Sequence, residues 1–386
     1  MIPYGRQEVT DEDIKSVIDV LKSDFLTQGP VVPEFEQQIC NYAGAVYGVA
    51  VNSATSALHI ACLALGLKKG DVLWTTAITF VASANCARYC GAEVDFVDID
   101  QLSYNMSVKS LEEKLILANE IGKLPKIVIP VHLSGQSCEM QDIYRLSKKY
   151  NFSIIEDASH AIGGKYKGES IGNCRYSDIT VFSFHPVKII TTCEGGMALT
   201  NDNDLASKMD LFRSHGITRD NSLMNQPSHG DWYYQQISLG FNYRMTELQA
   251  ALGLSQLKRL DNYVKQRHDI AIYYTEKLSN LPVVIPWQHP DSYSGLHLYI
   301  IRLKLDLISM THKDVFKALR QNGIGVNLHY IPVYHQPYYE KMGFMKENFP
   351  NAEKYYSEAI SLPMYPTLST QDLNTVIDVL GKVFEK

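Results

Sequence analysis

The feature that most constrains this chain is a recurrence of short β-branched, apolar runs separated by stretches of helical character. Residues 47–51, 72–76, 94–99, 127–131, 154–156 and 180–184 each read as a buried strand. Strands that alternate with helices assemble into a mostly parallel sheet covered on both faces, so the expected fold class is α/β. Ligands of such sheets gather beyond the carboxyl ends of the strands. Residues that carry chemistry should therefore follow the apolar runs directly.

The flanking regions complete the outline. Thr10 and Asp13 form a variant capping box, and Ile14, Val17, Ile18 and Leu21 follow at i, i+3, i+4 and i+7, which predicts an amphipathic helix. A Gly29-Pro30 break precedes a second helix around residues 35–42. Thr246 and Gln249 form another capping box, which opens a long helical stretch with Leu248, Ala251, Leu252, Leu260 and Val264 on core faces; it ends near Pro282 and Pro286. A strand at 298–303, a helix at 313–321 stopped by Gly323, a loop rich in tyrosine and proline and a last helix then suggest a smaller α+β unit. The 386 residues are enough for two domains, expected at 1–260 and 261–386.

Composition narrows the function classes. A net charge of −6 without a lysine or arginine block argues against a nucleic-acid partner. No apolar run approaches the roughly 20 residues of a membrane span, and Arg6 comes too early for a signal peptide, so a cytoplasmic location without membrane partners is expected. The seven cysteines are odd in number and include no C-x-x-C pair, which suggests neither a disulfide framework nor a zinc ribbon, and no metal site is expected. Cys86 and Cys90 read as small buried apolar residues.

Three segments carry candidate chemistry. After the run at 47–51, Asn52-Ser53-Ala54-Thr55-Ser56 opens a helix with Leu58, Ala61, Cys62 and Leu65 on one face. Its free N–H groups and dipole can hold a phosphate, although the segment alone reads first as an ordinary N-cap. Asp157 ends the run at 154–156, ahead of Ala158-Ser159-His160, and a carboxylate there could keep a heterocyclic nitrogen protonated. Taken alone, Asp157 caps a turn just as readily, and His160 is more often a satisfied core histidine. The most informative segment is Ser183-Phe184-His185-Pro186-Val187-Lys188-Ile189-Ile190, followed by Thr191-Thr192-Cys193-Glu194-Gly195-Gly196. A lysine with apolar flanks beyond a buried strand should have a lowered pKa, and imine formation requires the neutral amine. Ser183 could bind phosphate, and the glycine pair permits close backbone approach.

This run, together with N-S-A-T-S-A-L, E-D-A-S-H-A-I-G and G-F-N-Y-R-M-T, resembles the sugar aminotransferases of the DegT/DnrJ/EryC1/StrS family over essentially the whole chain. Several segments, among them Leu26-Thr27-Gln28-Gly29 and Val326-Asn327-Leu328-His329-Tyr330, resemble the branch that aminates C4 of a UDP-linked 4-keto-6-deoxy sugar for pseudaminic acid. The resemblance implies a fold-type I pyridoxal-phosphate transferase, like the aspartate aminotransferases, with a large sheet domain and a smaller C-terminal one. It also implies a homodimer with shared active sites, L-glutamate as donor and a UDP-linked keto sugar as acceptor. By motif position Lys188 would bond the cofactor, Asp157 would meet its ring nitrogen, Phe80 would stack on one face with His160 nearby, and Ala54, Thr55 and Ser183 would hold its phosphate. Asn242 would reach the phosphate of the neighbouring subunit, and Tyr4, Leu26, Thr27, His329 and Tyr330 would meet the sugar nucleotide. Cys193 departs from the glycine common before Glu-Gly-Gly, and His160 replaces a glutamine found in many relatives. Lys188 itself argues against the related sugar dehydratases, which carry histidine there.

Overall fold

The computed structural model describes residues 1–385. Its central sheet has seven strands: β1 (Tyr47–Val51), β2 (Val72–Thr76), β3 (Glu93–Val97), β4 (Ile127–Ile129), β5 (Ser153–Asp157), β6 (Ile179–Ser183) and β7 (Gly196–Thr200). Their lateral order is β1-β7-β6-β5-β4-β2-β3. Pairing is parallel from β6 across to β3, and β7 runs antiparallel to both of its neighbours. The fold is therefore α/β, as the alternation predicts. Strand β7 escapes sequence reading because Thr200 is its one β-branched residue; pairing on both edges, rather than propensity, makes it a strand.

Gly196 opens β7 at the point where the sheet comes closest to helix α3 (Ala54–Ala64, named in sequence after α1, Asp11–Leu21, and α2, Val31–Ala43). A Cβ on Gly196 would lie 2.4 Å from the Ala54 nitrogen. Glycine is thus required by proximity rather than by φ.

Helix α1 begins with the expected capping box, in which Thr10 N–H donates to Asp13 Oδ2 at 2.9 Å and Thr10 Oγ1 accepts from Asp13 N–H at 3.4 Å. Its orientation differs from a simple core-facing helix. Asp13 is fully buried and pairs with Arg259 at 2.6 Å, whereas Ile14, Ile18 and Leu21 are 49%, 40% and 56% exposed. The apolar stripe that predicts the helix is uncovered in the single chain. The stretch opened by Thr246 is two helices, Glu247–Leu257 and Leu260–Leu278, because Arg259 leaves helical geometry at φ −108° and its guanidinium holds Asp13.

A second, antiparallel sheet joins Val283–Val284, Tyr299–Leu303 and Ala359–Leu362. Helices Leu260–Leu278, His312–Gln321 and Thr370–Phe384 supply residues to its core, which includes Tyr274, Ile301, Leu319, Ile360 and Val376. Helix Leu260–Leu278 serves both regions, with Leu260 and Val264 in a core beneath the large sheet and Ile270 and Leu278 in the small one. The N-terminal residues lie along this unit. Ile2 N–H donates to Gly323 O at 2.8 Å, and Ile2 O accepts from Gly325 N–H at 2.7 Å. Tyr4 O accepts from Met364 N–H at 3.0 Å, which fixes the Tyr4 side chain at the mouth of the cavity described next.

Gly196→Ala is expected to cost about 1–3 kcal/mol by overpacking β7 against α3. Urea unfolding measures it. A loss below about 0.5 kcal/mol, the size of an ordinary surface substitution, would show that strand and helix separate freely.

Candidate active site

A cavity of about 570 Å³ opens beyond the carboxyl ends of β2, β5 and β6. The structure brings Ala54, Thr55, Phe80, Asp157, His160, Ser183 and Lys188 onto its wall, with Tyr4, His329 and Tyr330. Leu26, Thr27 and Asn242 lie outside it and are exposed. Tyr243 O accepts from Asn52 N–H at 2.8 Å, so the loop carrying Asn242 abuts the start of α3 although Asn242 itself is exposed and does not line the cavity.

Lys188 sits in the loop 184–195 between β6 and β7, which is closed by its own backbone. Phe184 N–H donates to Gly195 O at 2.9 Å, Thr192 N–H to Phe184 O at 3.0 Å, and Lys188 N–H to His185 O at 2.8 Å. Ile189 and Ile190 anchor the loop in the core. Burial pushes the Lys188 amine down to about 8, against the opposing pull of the Asp157 carboxylate. Cys193 in this loop has φ 65°, the left-handed region that glycine enters freely and other residues at about 1–2 kcal/mol.

Asp157 is held on both oxygens. Ser83 Oγ donates to Oδ2 at 2.6 Å, and Ser159 N–H donates to Oδ1 at 3.1 Å. Because the Ser83 proton is committed to the carboxylate, Thr79 must donate to Ser83 across their 2.9 Å contact. Strand alternation sends the preceding carboxylate the other way: Glu156 accepts from His132 Nε2 at 2.7 Å and from Ser177 Oγ at 2.5 Å, away from the cavity.

Three buried imidazoles on the wall, His160, His297 and His329, are held neutral. His160 Nδ1 accepts from Ser134 N–H at 3.3 Å, which places its proton on Nε2, 3.1 Å from Tyr330 Oη. Burial, then Lys188 and His329, hold its pKa well below the usual histidine range. Burial pushes His329 down to about 3; its Nδ1 is 2.7 Å from Ser361 Oγ, and its ring is 5.3 Å from that of Tyr4. Burial likewise raises Tyr330, so its hydroxyl stays protonated.

At α3, the N-cap Ser53 takes the Ser56 N–H at 3.1 Å, which leaves the N–H groups of Ala54 and Thr55, two residues of the cavity wall, without an intrahelical partner. Phe80 is 56% exposed, which leaves its ring face free to stack.

Sequence reading does not anticipate Ser83, Ser134, His297 or Asn327. Ser83 lies in a bland Ala-Ser-Ala stretch at the start of the helix Ala82–Tyr89, and Ser134 acts through its backbone, so neither has a side-chain signature. Asn327 falls inside a motif already singled out, and His297 immediately precedes a recognisable strand. Their positions before and after such elements are the one available signal.

A phosphate-bearing aldehyde with a protonatable ring nitrogen has a use for each of these walls, and the fold is that of the fold-type I pyridoxal-phosphate transferases. The match to the DegT/DnrJ/EryC1/StrS aminotransferase family spans residues 7–381, and the chain belongs to that family. It is a pyridoxal-phosphate-dependent aminotransferase. The chain is 38% identical over 388 residues to the UDP-4-amino-4,6-dideoxy-N-acetyl-beta-L-altrosamine transaminase of Campylobacter jejuni, covering 100% of this chain and 98% of that one. It is 37% identical over 386 residues to the spore coat polysaccharide biosynthesis protein SpsC of Bacillus subtilis, covering 99% and 97%. Among solved structures, Helicobacter pylori PseC, an aminotransferase of pseudaminic acid biosynthesis, superposes with a TM-score of 0.89 at 32% identity, covering 100% of this chain and 99% of that one.

In cofactor-free protein, acetylation of Lys188 by acetic anhydride should rise with pH to a midpoint near 8. Peptide mapping across pH reads it. A midpoint near the ordinary lysine value of about 10.4 would show that burial does not depress this amine.

Proposed function

We propose that the protein transfers the amino group of L-glutamate to C4 of a UDP-linked 4-keto-6-deoxy-N-acetylhexosamine, in nonulosonate (pseudaminic acid) biosynthesis in the cytoplasm. The observation that carries the reaction type is the buried Lys188, with its depressed pKa, beside the doubly hydrogen-bonded Asp157. The choice of sugar rests on the full-length likeness to the Campylobacter jejuni transaminase and to PseC. A location away from membranes agrees with there being no helix among the described residues long and apolar enough to cross one.

Pyridoxal phosphate, when bound, supplies an aldehyde that exchanges amines and a ring that withdraws electrons. Lys188 would hold it covalently at rest and would be freed when the glutamate amine takes its place. The released Lys188 Nζ would then move the Cα proton of glutamate to the cofactor in the first half-reaction and, in the second, would return a proton from the cofactor to the receiving sugar carbon. One base on one face sets the stereochemistry of both steps. Asp157, held by Ser83 and Ser159, would keep the proton on the ring nitrogen. Ala54, Thr55 and Ser183 would hold its phosphate, Phe80 would cover one ring face, and the buried His160 would help exclude water beside it. Tyr4, His329 and Tyr330 receive the sugar nucleotide.

The nearly equal likeness to SpsC favours a second reading, in which the acceptor is a different keto sugar of a surface polysaccharide. Purified enzyme with glutamate, assayed against 4-keto and 3-keto sugars linked to UDP and dTDP, separates the two. The first reading expects the UDP-linked 4-keto-6-deoxy-N-acetylhexosamine to give the highest kcat/KM, and a higher value for any other sugar overturns it.

We further propose a homodimer in which Asn242 and the Leu26-Thr27 segment complete the partner's site. Support comes from the exposed face of Ile14, Ile18 and Leu21, continued by Phe25 at 53% and Leu26 at 48% exposure. Mixing inactive Lys188→Ala with inactive Asn242→Asp subunits should restore part of the activity, because one site of the mixed dimer then carries neither defect. No recovery after verified subunit exchange would refute the sharing.

A further inference from the structure

His297 stands on the cavity wall and has no part in the scheme above. It is 4% exposed, and its Nδ1 is enclosed without a hydrogen-bond partner. The cavity is therefore reached through Nε2.

The other wall histidines are committed. His160 uses Nδ1 for Ser134 and Nε2 for Tyr330, and His329 lies against Ser361 and Asn327 at 2.7 Å and 3.4 Å. His185 stands half-exposed, 3.9 Å from Glu194. Only His297 combines burial with a ring nitrogen free to meet a ligand.

Behind it lies Arg267, 1% exposed. Its Nη1 donates to the carbonyl oxygens of Leu296, His297 and Met364 at 3.3, 3.2 and 3.0 Å, its Nε has no partner, and no carboxylate among the described residues pairs with it. A buried guanidinium without a counter-ion leaves a positive field that a nearby anion would relieve. With Nδ1 enclosed, the nitrogen left to meet a ligand is Nε2, and a donor role there belongs to the tautomer that carries its proton on Nε2. Burial, followed by His160, Lys188 and Arg267, keeps the ring neutral.

We infer that His297 binds the α-carboxylate of the amino-acid donor, its Nε2–H donating to one carboxylate oxygen while Arg267 behind it supplies the attracting charge. The α-carboxylate is attached to the carbon that Lys188 deprotonates, so whatever holds it must lie within reach of Lys188. The wall carries no arginine, and Lys188 is occupied with the reaction itself. His297, whose ring centroid is 4.4 Å from that of His160, meets the requirement. The inference rests on the reading of the donor as an α-amino acid and is independent of the sugar.

The test compares wild type, His297→Phe and His297→Gln, the glutamine placing an N–H near the position of Nε2. Donors are L-glutamate and its α-amide, which keeps the amine and side chain but lacks the α-carboxylate charge. In the glutamate half-reaction, followed by absorbance in single turnovers, His297→Phe should raise the half-saturating glutamate concentration about ten- to hundredfold. It should leave the α-amide and the keto-sugar half-reaction within about twofold, and His297→Gln should recover much of the loss. Calorimetric binding of glutarate to the holoenzyme should weaken in parallel. Unchanged glutamate saturation in His297→Phe, an equal loss with both donors, or a wild type that does not accept glutamate overturns the assignment. A wild type that accepts glutamate but aminates none of the panel sugars overturns the sugar reading alone.

Discussion

Taking the Lys188 amine out of water disfavours its charged form, and the carboxylate that opposes this is Asp157. The two groups sit in a balance that the surrounding structure maintains. If Asp157 approached more closely, Lys188 would remain a protonated ion-pair partner; if Asp157 were absent, nothing would hold a ring nitrogen protonated. The spacing is fixed from both sides. Asp157 ends a central strand and is tied down by Ser83 and Ser159, while Lys188 rides on a hydrogen-bonded loop whose isoleucines are sunk in the core. The antiparallel β7 gives that loop its return path, and Gly196 lets the return strand come close enough for α3 to bring its N-terminus into the same cavity.

Neutral histidines serve the same balance. A protonated imidazole at His160 or His329 would add positive charge beside Lys188, lower its pKa further and compete for Asp157. Burial prevents this without an added counter-ion, and the Ser134 N–H fixes which nitrogen of His160 carries the proton. The loop bearing Ser134 owes its position to Gly135, at φ 101°, where a Cβ would meet Leu296 N at 2.7 Å. Close approach of two backbones thus sets a side-chain tautomer on the cavity wall, a dependence that no single substitution of the histidine would reveal.

What the sequence discloses follows from which forces are local. Six of the seven strands, the start of α1 and the lysine loop are written in apolar runs, capping residues and fixed offsets, all of which act over a few residues. Strand β7 is not, because its stability comes from pairing on both edges. The break at Arg259 is not, because its partner Asp13 lies 246 residues away. At the site, Lys188 and Asp157 announce themselves by polar chemistry at strand ends, whereas Ser83 and His297 matter only through neighbours that the fold supplies. The family resemblance covers the former and is silent on the latter. It names residues that meet a ligand more readily than residues that set the state of those that do.

Helix α1 shows how a correct local reading of period and cap leaves open which way the helix faces. Its period is helical and its capping box is present, yet the fully buried side chain is Asp13, and the apolar stripe faces outward. A helix that buries an acid and exposes isoleucine is unfavourable in isolation, since about 25 cal/mol is forgone for each Å² of apolar surface left in water. The Asp13–Arg259 pair, assisted by Gln256 at 2.7 Å from Asp13, fixes this orientation from within. Rotation to hide the stripe would strand both charges, so Ile14, Ile18 and Leu21 stay exposed in the single chain. Leu26 continues that stripe, and its carbonyl accepts from Glu247 N–H at 3.0 Å in the first turn of the helix that follows the Asn242 loop. The uncovered surface is therefore tied by hydrogen bonds to the segments that lie outside their own chain's cavity, which is the arrangement a partner subunit would require.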